Sequence, residues 1–217
     1  MRPRVLVNMA PSLDGKIAPA RKHAPFTMSR HEEDIRRMHA LRSRADATII
    51  GASNLRADNP DVAQSKIRVV VTRAGHRIEP GARMFDSRLG GEAIVAHAAS
   101  MTEAKRTELR SSATLIELGS SEVDCGRLLE WLARERHCAT VVCEGGGVLN
   151  AAMFAARAVD ELYLTVVPRI LGGSRAPTIV EGIGFDPDEI PDARLARCEA
   201  IGNELFLVYD LIWPDGD

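Results

Sequence analysis

The chain has 217 residues, of which 45% are hydrophobic and 27% charged, and its formal net charge is −2. This composition is ordinary for a globular protein, and the balance of acidic and basic residues does not favour a nucleic-acid or membrane partner. The apolar stretch near the N-terminus, Val5 to Val7, is too short for a signal peptide or a membrane span, so we expect a cytosolic protein.

Short apolar segments rich in valine and isoleucine alternate with helical patterns along the chain. We predict strands at 5–10, 47–51, 67–72, 93–97, 114–118, 140–143 and 161–167. We predict helices at about 29–44, 101–110, 126–136 and 148–156. This alternation is typical of a mostly parallel sheet covered by helices. No repeat or long linker interrupts it, so we expect one domain over 1–217.

The ends of the chain's elements carry further signals. Ser29 is predicted to cap the first helix in a box with Glu32, and an apolar stripe follows at 35, 38, 41 and 45. Asp124 is expected to precede the third helix. Near the C-terminus, 197–201 and 204–212 flank the Gly202-Asn203 pair, which predicts an antiparallel hairpin, and 185–192 is predicted to be a surface loop.

Three glycines follow the predicted strand at 140–143. The run reads Glu144, Gly145, Gly146, Gly147, Val148, Leu149 and Asn150. Glycines let a ligand approach the backbone, and the free N–H groups at the start of a helix favour an anion. The standard fingerprints are not matched, because no Gly-Lys-Ser/Thr follows and Asn150 replaces the third glycine of G-x-G-x-x-G. We predict a nucleotide phosphate site, with a purely structural turn as the alternative.

Two polar loops are predicted at the carboxyl edge of the parallel sheet, where such sheets bind ligands. The first strand is followed by Asp14, Gly15 and Lys16, which form either a binding loop or an ordinary turn. The second strand leads into a polar loop over 52–60, in which Pro60 is expected to hold Asn59 in an extended conformation. Asn59 is alternatively a plain turn former.

The cysteines do not indicate a metal site or a disulfide framework. Cys125, Cys138, Cys143 and Cys198 lie in or beside apolar segments without C-x-x-C spacing. We expect buried reduced thiols and no bound metal.

Six segments together resemble the pyrimidine reductases of riboflavin biosynthesis, in the family's order and along nearly the whole chain. They are residues 12–16, 38–42, 51–60, 144–150, 159–162 and 168–173. The resemblance implies an α/β, dihydrofolate-reductase-like fold with a mixed, mostly parallel sheet, helices on both faces and a C-terminal antiparallel hairpin. It implies reduction of the ribosyl group of a phosphoribosylaminopyrimidine to ribityl, by hydride transfer from NADPH, in a homodimer. The chain looks similar to the stand-alone archaeal and fungal enzymes.

The resemblance also implies roles for individual positions. Residues 145–150 are expected along the cofactor diphosphate, and Glu144 is expected to touch the substrate. Further cofactor-side positions are Ala10, Met28, Gly51, Asn54 and Asp58. Further substrate-side positions are Lys16, Phe26, Arg42 and Val62. Asn59 of the polar loop is also predicted to bind the substrate. Lys16, Asp14 or a bound water are the candidate proton donors, and the sequence does not rank them.

Two arginines are predicted to hold phosphates. Arg42 ends the first helix, and its guanidinium suits a phosphate monoester, although a solvated helix-end arginine is the alternative. Arg73 follows the third strand and is predicted to meet the adenosine 2′-phosphate that distinguishes NADPH from NADH, with a plain surface charge as the alternative. A second phosphate-binding arginine of the family is missing here, so Lys66 or Arg68 would have to replace it.

Two other functions remain open from the sequence. The chain could reduce a pterin, dihydrofolate or another heterocycle without a phosphoribosyl group, or it could be a non-catalytic nucleotide-binding domain.

Overall fold

The computed structural model describes residues 1–21 and 26–214. Its elements in chain order are β1 (Arg4–Met9), α1 (Glu32–Arg44), β2 (Ala47–Gly51), α2 (Ala52–Asp58), β3 (Ile67–Thr72), β4 (Glu92–His97), α3 (Glu103–Leu109), β5 (Thr114–Glu117), α4 (Cys125–Arg136), β6 (Thr140–Cys143), α5 (Gly147–Ala155), β7 (Glu161–Val166), β8 (Asp192–Ile201) and β9 (Glu204–Ile212). Two short 3-10 helices lie between β3 and β4, at Arg83–Phe85 and Ser87–Leu89. Within the described ranges, no helix has the length and apolar character needed to cross a membrane.

The chain forms two compact units. The first comprises Met1–Arg4 and His39–Glu144, and the second comprises Val5–Met38 and Gly145–Asp217. The divisions fall inside β1, inside α1 and immediately after Glu144. That the whole chain acts as one domain stays a prediction.

The first unit contains five parallel strands in the order β5-β4-β3-β2-β6. Every residue of β2 is buried, with Ala47 paired to Ile67 on one side and to Val141 on the other. A strand between two parallel neighbours is covered on both faces, which explains why it reads as a continuous apolar run.

The second unit contains four strands in the order β1-β7-β9-β8. β1 and β7 are parallel, whereas β9 is antiparallel to both β7 and β8. The predicted hairpin is confirmed, since β8 and β9 join across Gly202 and Asn203. The mixed, mostly parallel α/β architecture is therefore confirmed.

β8 is longer than the sequence predicts, since it begins at Asp192 and not at Arg197. Its first seven residues are all exposed, and its register shifts between Leu195 and Arg197. An exposed edge strand is held mainly by backbone hydrogen bonds, so its sequence carries little of the apolar alternation by which strands are recognised.

The predicted cap of the first helix is wrong. The helix begins at Glu32, and the Nδ1 of His31 accepts the Glu33 N–H at 3.1 Å. The Ser29 hydroxyl instead donates to the carboxylate of Glu204, a buried side chain, at 2.8 Å. A buried carboxylate needs a donor, and this long-range demand overrides the local capping box. The predicted apolar stripe is also incomplete, because Ile35 is exposed.

The segment predicted as a polar loop over 52–60 contains the helix α2. Ala52 and Leu55 are buried in the core of the first unit, and this packing explains a helix that its polar composition did not indicate. Asn59 ends the helix in the left-handed region, with φ 43° and ψ 54°. The extended conformation predicted from Pro60 is therefore wrong, and Asn59 behaves as a helix-terminating turn residue.

Two helix starts agree with the sequence. The Asp124 side chain accepts the Arg127 N–H at 2.9 Å and caps α4. The helix α5 begins directly at the triple glycine, with Gly146 as its N-terminal cap residue.

The cysteines divide into three buried thiols and one exposed thiol. Cys125, Cys138 and Cys143 are buried, but Cys198 is exposed, so the prediction of four buried thiols is wrong for Cys198. The reason is that Cys198 lies on the exposed strand β8. Burial raises the pKa of the Cys125 thiol to about 12 and that of Cys138 to about 11.

We expect a disulfide-exchange reagent to modify Cys198 quickly in the native protein and to leave the other three thiols unmodified. The thiolate is the attacking species, and the raised pKa values of Cys125 and Cys138 leave almost none of it at those two residues, while Cys143 is protected by its burial. Cys198→Ser should remove the fast phase of absorbance change, and Cys125→Ser should retain it. Rapid modification of more than one thiol in the folded protein would contradict the burial.

Candidate functional site

In the first unit, Arg42 and Glu144 form a buried ion pair. Arg42, near the end of α1, donates from Nε to one Glu144 oxygen at 2.7 Å and from Nη2 to the other at 2.6 Å. The two side chains are only 7% and 9% exposed. Nη1 also lies 3.4 Å from the Gln64 side-chain oxygen. The guanidinium predicted to hold a phosphate is thus already engaged on one edge by a carboxylate.

The position of Glu144 is set by its neighbours in the sheet. Its N–H donates to the Ile49 carbonyl of β2 at 2.9 Å, which continues the pairing of β6 with β2. Its carbonyl accepts from the Asn54 side chain of α2 at 3.2 Å. The structure therefore brings Asn54, Arg42 and Glu144 together, and α2 contributes to this cluster because it follows β2 without a loop.

Two other predicted substrate-side residues lie on the loop after α2. The Val62 side chain is fully buried and its φ is 54°, so a substrate contact at Val62 would have to come from its backbone. A left-handed β-branched residue is uncommon and signals a backbone held by its surroundings. The Asn59 side-chain oxygen accepts the Arg83 N–H at 3.0 Å. Substrate contacts at these two positions stay predictions.

Arg68 does not replace the missing phosphate-binding arginine. It lies on β3 with only 2% of its surface exposed, and it donates to the carbonyls of Met84 at 2.8 Å and Gly90 at 2.7 Å. Burial lowers the pKa of its guanidinium. Arg68 thus fastens the segment between β3 and β4, while Lys66 is exposed.

Arg73 lies beside a surface cavity in the first unit. It is exposed and pairs weakly with Glu122 at 3.4 Å, while its carbonyl accepts from the Ser100 hydroxyl at 3.3 Å. Ser100 in turn lines a cavity of about 360 Å³ whose basic lining residues are His76, Arg77 and Lys105. Arg73 does not line this cavity, but three further basic groups lie on its rim.

In the second unit, the glycine turn opens directly into α5. Gly145 and Gly146 have φ values of 35° and 84°, a region that side chains rarely adopt. No side chain caps the helix within the part of the chain that the structure describes, and Val148 in its first turn is exposed. A Cβ at Gly146 would meet no atom within 4 Å. The turn therefore has free space beside Gly146, and it is followed by the uncapped backbone N–H groups at the start of α5.

The back of the glycine turn is tightly packed. A Cβ at Gly147 would lie 2.5 Å from the Thr178 carbonyl oxygen, and one at Gly145 would lie 2.2 Å from the Asn150 side-chain oxygen. The fully buried Asn150 side chain donates to the Ile179 carbonyl at 2.8 Å. Asn150 therefore connects the turn to the segment at 178–179, which explains why an asparagine occupies the place of a third glycine.

This turn fits the diphosphate of a dinucleotide. Its side-chain-free surface, the positive end of α5 and its exposed first turn are the features that anions use at helix starts. Among the described residues, no group of three or more His, Cys, Asp or Glu side chains is placed to hold a metal ion.

Asp14 serves as a hydrogen-bond acceptor in the second unit. One carboxylate oxygen accepts from the Ser12 hydroxyl at 2.6 Å and from the Leu171 N–H at 3.0 Å, and the other accepts from the Gly172 N–H at 2.7 Å. The Ser12 hydroxyl and these amides lower the pKa of Asp14 to about 2, from an ordinary 3.8. The ionised form is therefore stabilised at every pH above about 4, and the effect is lost only as the pH falls towards 2.

Lys16 follows Asp14 by two residues in the same loop. Its ammonium donates to the Ala176 carbonyl at 3.3 Å, and its backbone forms an isolated antiparallel bridge with Thr178. Residues 168–182, which contact this loop and the glycine turn, are called the strap below. Ser12 and residues 168–173 lie in segments that carry the family resemblance, but the sequence gives them no contacts, because irregular segments have no periodicity to reveal their partners.

The remaining predicted positions in the second unit are less informative. Ala10 follows β1 and is half-buried, while Met28 is buried. The ring of Phe26 lies 5.9 Å from the guanidinium carbon of Arg169.

The known proteins most informative about this chain are pyrimidine reductases. The 2,5-diamino-6-ribosylamino-4(3H)-pyrimidinone 5′-phosphate reductase of Methanothermobacter thermautotrophicus is 34% identical over 96% of this chain and 98% of that protein. The protein of the same name from Archaeoglobus fulgidus is 32% identical over 93% of this chain and 95% of that protein.

Solved structures confirm the fold. Acinetobacter baumannii RibD, form 2, matches with a TM-score of 0.76 and 20% identity, over 97% of this chain and 58% of that one. This chain thus spans little more than half of that RibD chain. Dihydrofolate reductase from Enterococcus faecalis matches with a TM-score of 0.52 and 12% identity, over 96% of each chain. The predicted dihydrofolate-reductase-like fold is confirmed.

A family model places the chain more directly. The model described as the RibD C-terminal domain matches residues 3–207, which include both the Arg42–Glu144 pair and the glycine turn. The chain belongs to the RibD C-terminal domain family, as its resemblance to the riboflavin-biosynthesis pyrimidine reductases predicted.

Proposed function

We propose that this protein uses NADPH to reduce the ribosyl group of a 2,5-diamino-6-ribosylamino-4(3H)-pyrimidinone 5′-phosphate, or its close pyrimidine analogue, to ribityl. The observation that carries the proposal is the similarity to reductases of that name over nearly the full length of both chains. It favours this substrate over a pterin and favours an enzyme over a non-catalytic binding domain.

The glycine turn and the start of α5 are proposed to bind the cofactor diphosphate through backbone N–H groups. When bound, the cofactor supplies the hydride, so the chain itself needs no nucleophilic side chain. The residues of the chain then have to hold the cofactor and the substrate in a reactive alignment and to exclude water.

On the substrate side, Glu144 is proposed to accept hydrogen bonds from the amino and ring N–H groups of the pyrimidine. Arg42 holds both Glu144 oxygens on one edge, which fixes the plane of the carboxylate. Arg42 is also the predicted ligand of the substrate phosphate, and that role stays a prediction.

Lys16 is proposed as the residue that delivers a proton during reduction. Asp14 is less suited to this task, because a carboxyl group with a pKa of about 2 holds no proton near neutral pH. The Lys16 ammonium has three donors, and the Ala176 carbonyl accounts for one of them.

Turnover with defined substrates tests the proposal. The purified protein should oxidise NADPH when given the diamino pyrimidine 5′-phosphate or the corresponding aminouracil, and dihydrofolate should give no rate. Turnover of dihydrofolate alone would favour the pterin alternative. Cofactor binding without turnover of any of these compounds would favour a non-catalytic domain.

Arg73 is proposed to bind the 2′-phosphate of NADPH, with the basic rim of the neighbouring cavity adding to the positive field. Arg73→Ala should raise the KM for NADPH about tenfold, the expected cost of one charge-assisted hydrogen bond, and leave the KM for NADH unchanged. Steady-state kinetics with both cofactors measure this difference. Arg88→Ala, which removes another exposed arginine, is the matched control. Equal effects of Arg73→Ala on the two cofactors would contradict the assignment.

We also expect a single functional domain and a cytoplasmic location, as the sequence predicts, and a homodimer, as the family resemblance implies. Sedimentation of the purified protein tests the dimer.

A further inference from the structure

The strap is bonded to the loop at 12–17 by several backbone contacts in the second unit. The Leu13 N–H donates to the Arg169 carbonyl at 2.9 Å, and the Ile17 N–H donates to the Pro177 carbonyl at 2.9 Å. These two bonds align the strap along the loop at both ends of the loop. Between them, the strap contains a turn at 173–176, in which the Ala176 N–H donates to the Gly173 carbonyl at 3.1 Å.

Asp14 holds the strap directly before this turn. Its carboxylate accepts the N–H groups of Leu171 and Gly172, at 3.0 and 2.7 Å. Gly172, directly before the turn, and Gly173, its first residue, have φ values of 63° and 83°, which side chains rarely adopt. Four residues after Gly172, the strap presents the Ala176 carbonyl to the Lys16 ammonium at 3.3 Å.

We propose that Asp14 is a positioning residue for Lys16, acting through the strap: it fixes the backbone at Leu171 and Gly172, and thereby the turn that follows and the Ala176 carbonyl that orients the Lys16 ammonium. The catalytic role of Lys16 rests on the proposed function. The contacts that position Lys16 lie within the second unit and do not depend on that function.

The geometry separates this role from acid–base chemistry by Asp14. Both Asp14 oxygens are occupied by N–H or O–H donors from Ser12 and the strap. Within the described part of the chain, Asp14 and Lys16 form no ion pair, and the Lys16 ammonium donates to the Ala176 carbonyl instead. Substitution by asparagine should therefore loosen the strap, because its NH2 group faces an amide N–H that needs an acceptor.

The first measurement needs neither cofactor nor substrate. The rate of reductive methylation of Lys16 by formaldehyde, followed by peptide mass mapping, reports how firmly its amine is held. Asp14→Asn should raise this rate severalfold and leave distant lysines unchanged. Asp86→Asn is the matched control, because Asp86 also has a pKa lowered to about 2 by local hydrogen bonds but lies in the first unit. An unchanged methylation rate at Lys16 in Asp14→Asn would overturn the proposal.

The second measurement is a double-mutant cycle on kcat at saturating NADPH and pyrimidine phosphate. Lys16→Met should lower kcat about a hundredfold, as expected for loss of a proton donor, and Asp14→Asn about tenfold. The double variant should be no slower than Lys16→Met alone, because Asp14 then has nothing left to position. Losses that multiply to about a thousandfold would overturn the proposal, and so would an unchanged kcat in Asp14→Asn.

The two measurements separate this inference from the proposed function. If the wild-type protein shows no turnover, the proposed function fails, while the methylation rates still decide the positioning. If turnover is present but Lys16→Met retains it, both the catalytic role of Lys16 and the kinetic part of this inference fail. Should Asp14→Asn not fold, Asp14→Glu keeps the carboxylate but displaces it by one methylene from the Leu171 and Gly172 N–H groups, and it should also raise the methylation rate of Lys16.

Discussion

Replacing Arg42 by methionine should lower the free energy of unfolding by about 3–5 kcal/mol, the usual cost of removing one partner from a buried ion pair. The reason is that Glu144 would keep its charge in a site where its side chain is only 9% exposed. Denaturant unfolding measures the loss. Glu144→Leu should cost a similar amount, because it leaves the Arg42 guanidinium buried without its carboxylate.

The double variant Arg42→Met/Glu144→Leu is the control for this prediction. It removes both charges and replaces them with apolar groups of similar volume, so it should be more stable than either single variant. Its turnover should nevertheless be lost, because the carboxylate proposed to bind the pyrimidine is no longer there. If the two single losses simply add in the double variant, the two side chains do not form the pair that the structure shows.

Adding a single methyl group at Gly147 should damage the protein in a different way. In Gly147→Ala the new carbon would lie 2.5 Å from the Thr178 carbonyl oxygen, which belongs to the backbone of the strap and has no side-chain freedom to yield. We expect a loss of about 1–3 kcal/mol in unfolding free energy from overpacking. Turnover should fall about a hundredfold, because a shift of about 1 Å in a positioning element has an effect of this size.

Gly81→Ala is the matched control for the glycine turn. A Cβ at Gly81 meets no atom within 4 Å, so this variant should be as stable as the wild type or slightly more stable. Calorimetric titration with NADPH should show weaker binding for Gly147→Ala and unchanged binding for Gly81→Ala. Wild-type affinity in Gly147→Ala would show that the glycine turn does not carry the cofactor.

The two units differ in how far their local sequences predict them. In the first unit, β2 and β3 are apolar runs buried on both faces, and such runs are recognisable without any knowledge of their partners. In the second unit, β8 is almost wholly exposed and the strap has no regular structure. Neither has an apolar period, so their contacts depend on backbone groups that every residue possesses.

In the candidate site, too, some features follow from the local sequence and others depend on residues far apart in the chain. The glycine turn was predictable, because glycine and the start of a helix act within a few residues of each other. The pairing of Arg42 with Glu144 was not, since the partners are separated by 102 positions. A guanidinium offers the same N–H donors to a phosphate and to a carboxylate, so the presence of an arginine at position 42 does not reveal which of the two it binds.

The protonation state of Asp14, a candidate catalytic residue, also depends on contacts that the local sequence does not reveal. An aspartate beside a lysine in a glycine-containing loop is compatible with proton transfer, with binding or with a turn. The three donors that lower its pKa come from Ser12 and from the strap, more than 150 positions away for two of them. Tertiary contacts, and not the residue type, determine its protonation state.

By itself, the sequence determined the alternating pattern of strands and helices, the antiparallel C-terminal hairpin, the glycine turn before α5 and the family, because each depends on local spacing or on motifs in order. Only the tertiary structure decided that 52–58 is a helix, that the Ser29 hydroxyl donates to Glu204, that Arg42 forms an ion pair with Glu144 and that Asp14 accepts hydrogen bonds from the strap. The physical reason is that a buried polar or charged group must find a partner, and that partner is selected by the folded chain and not by the neighbouring residues.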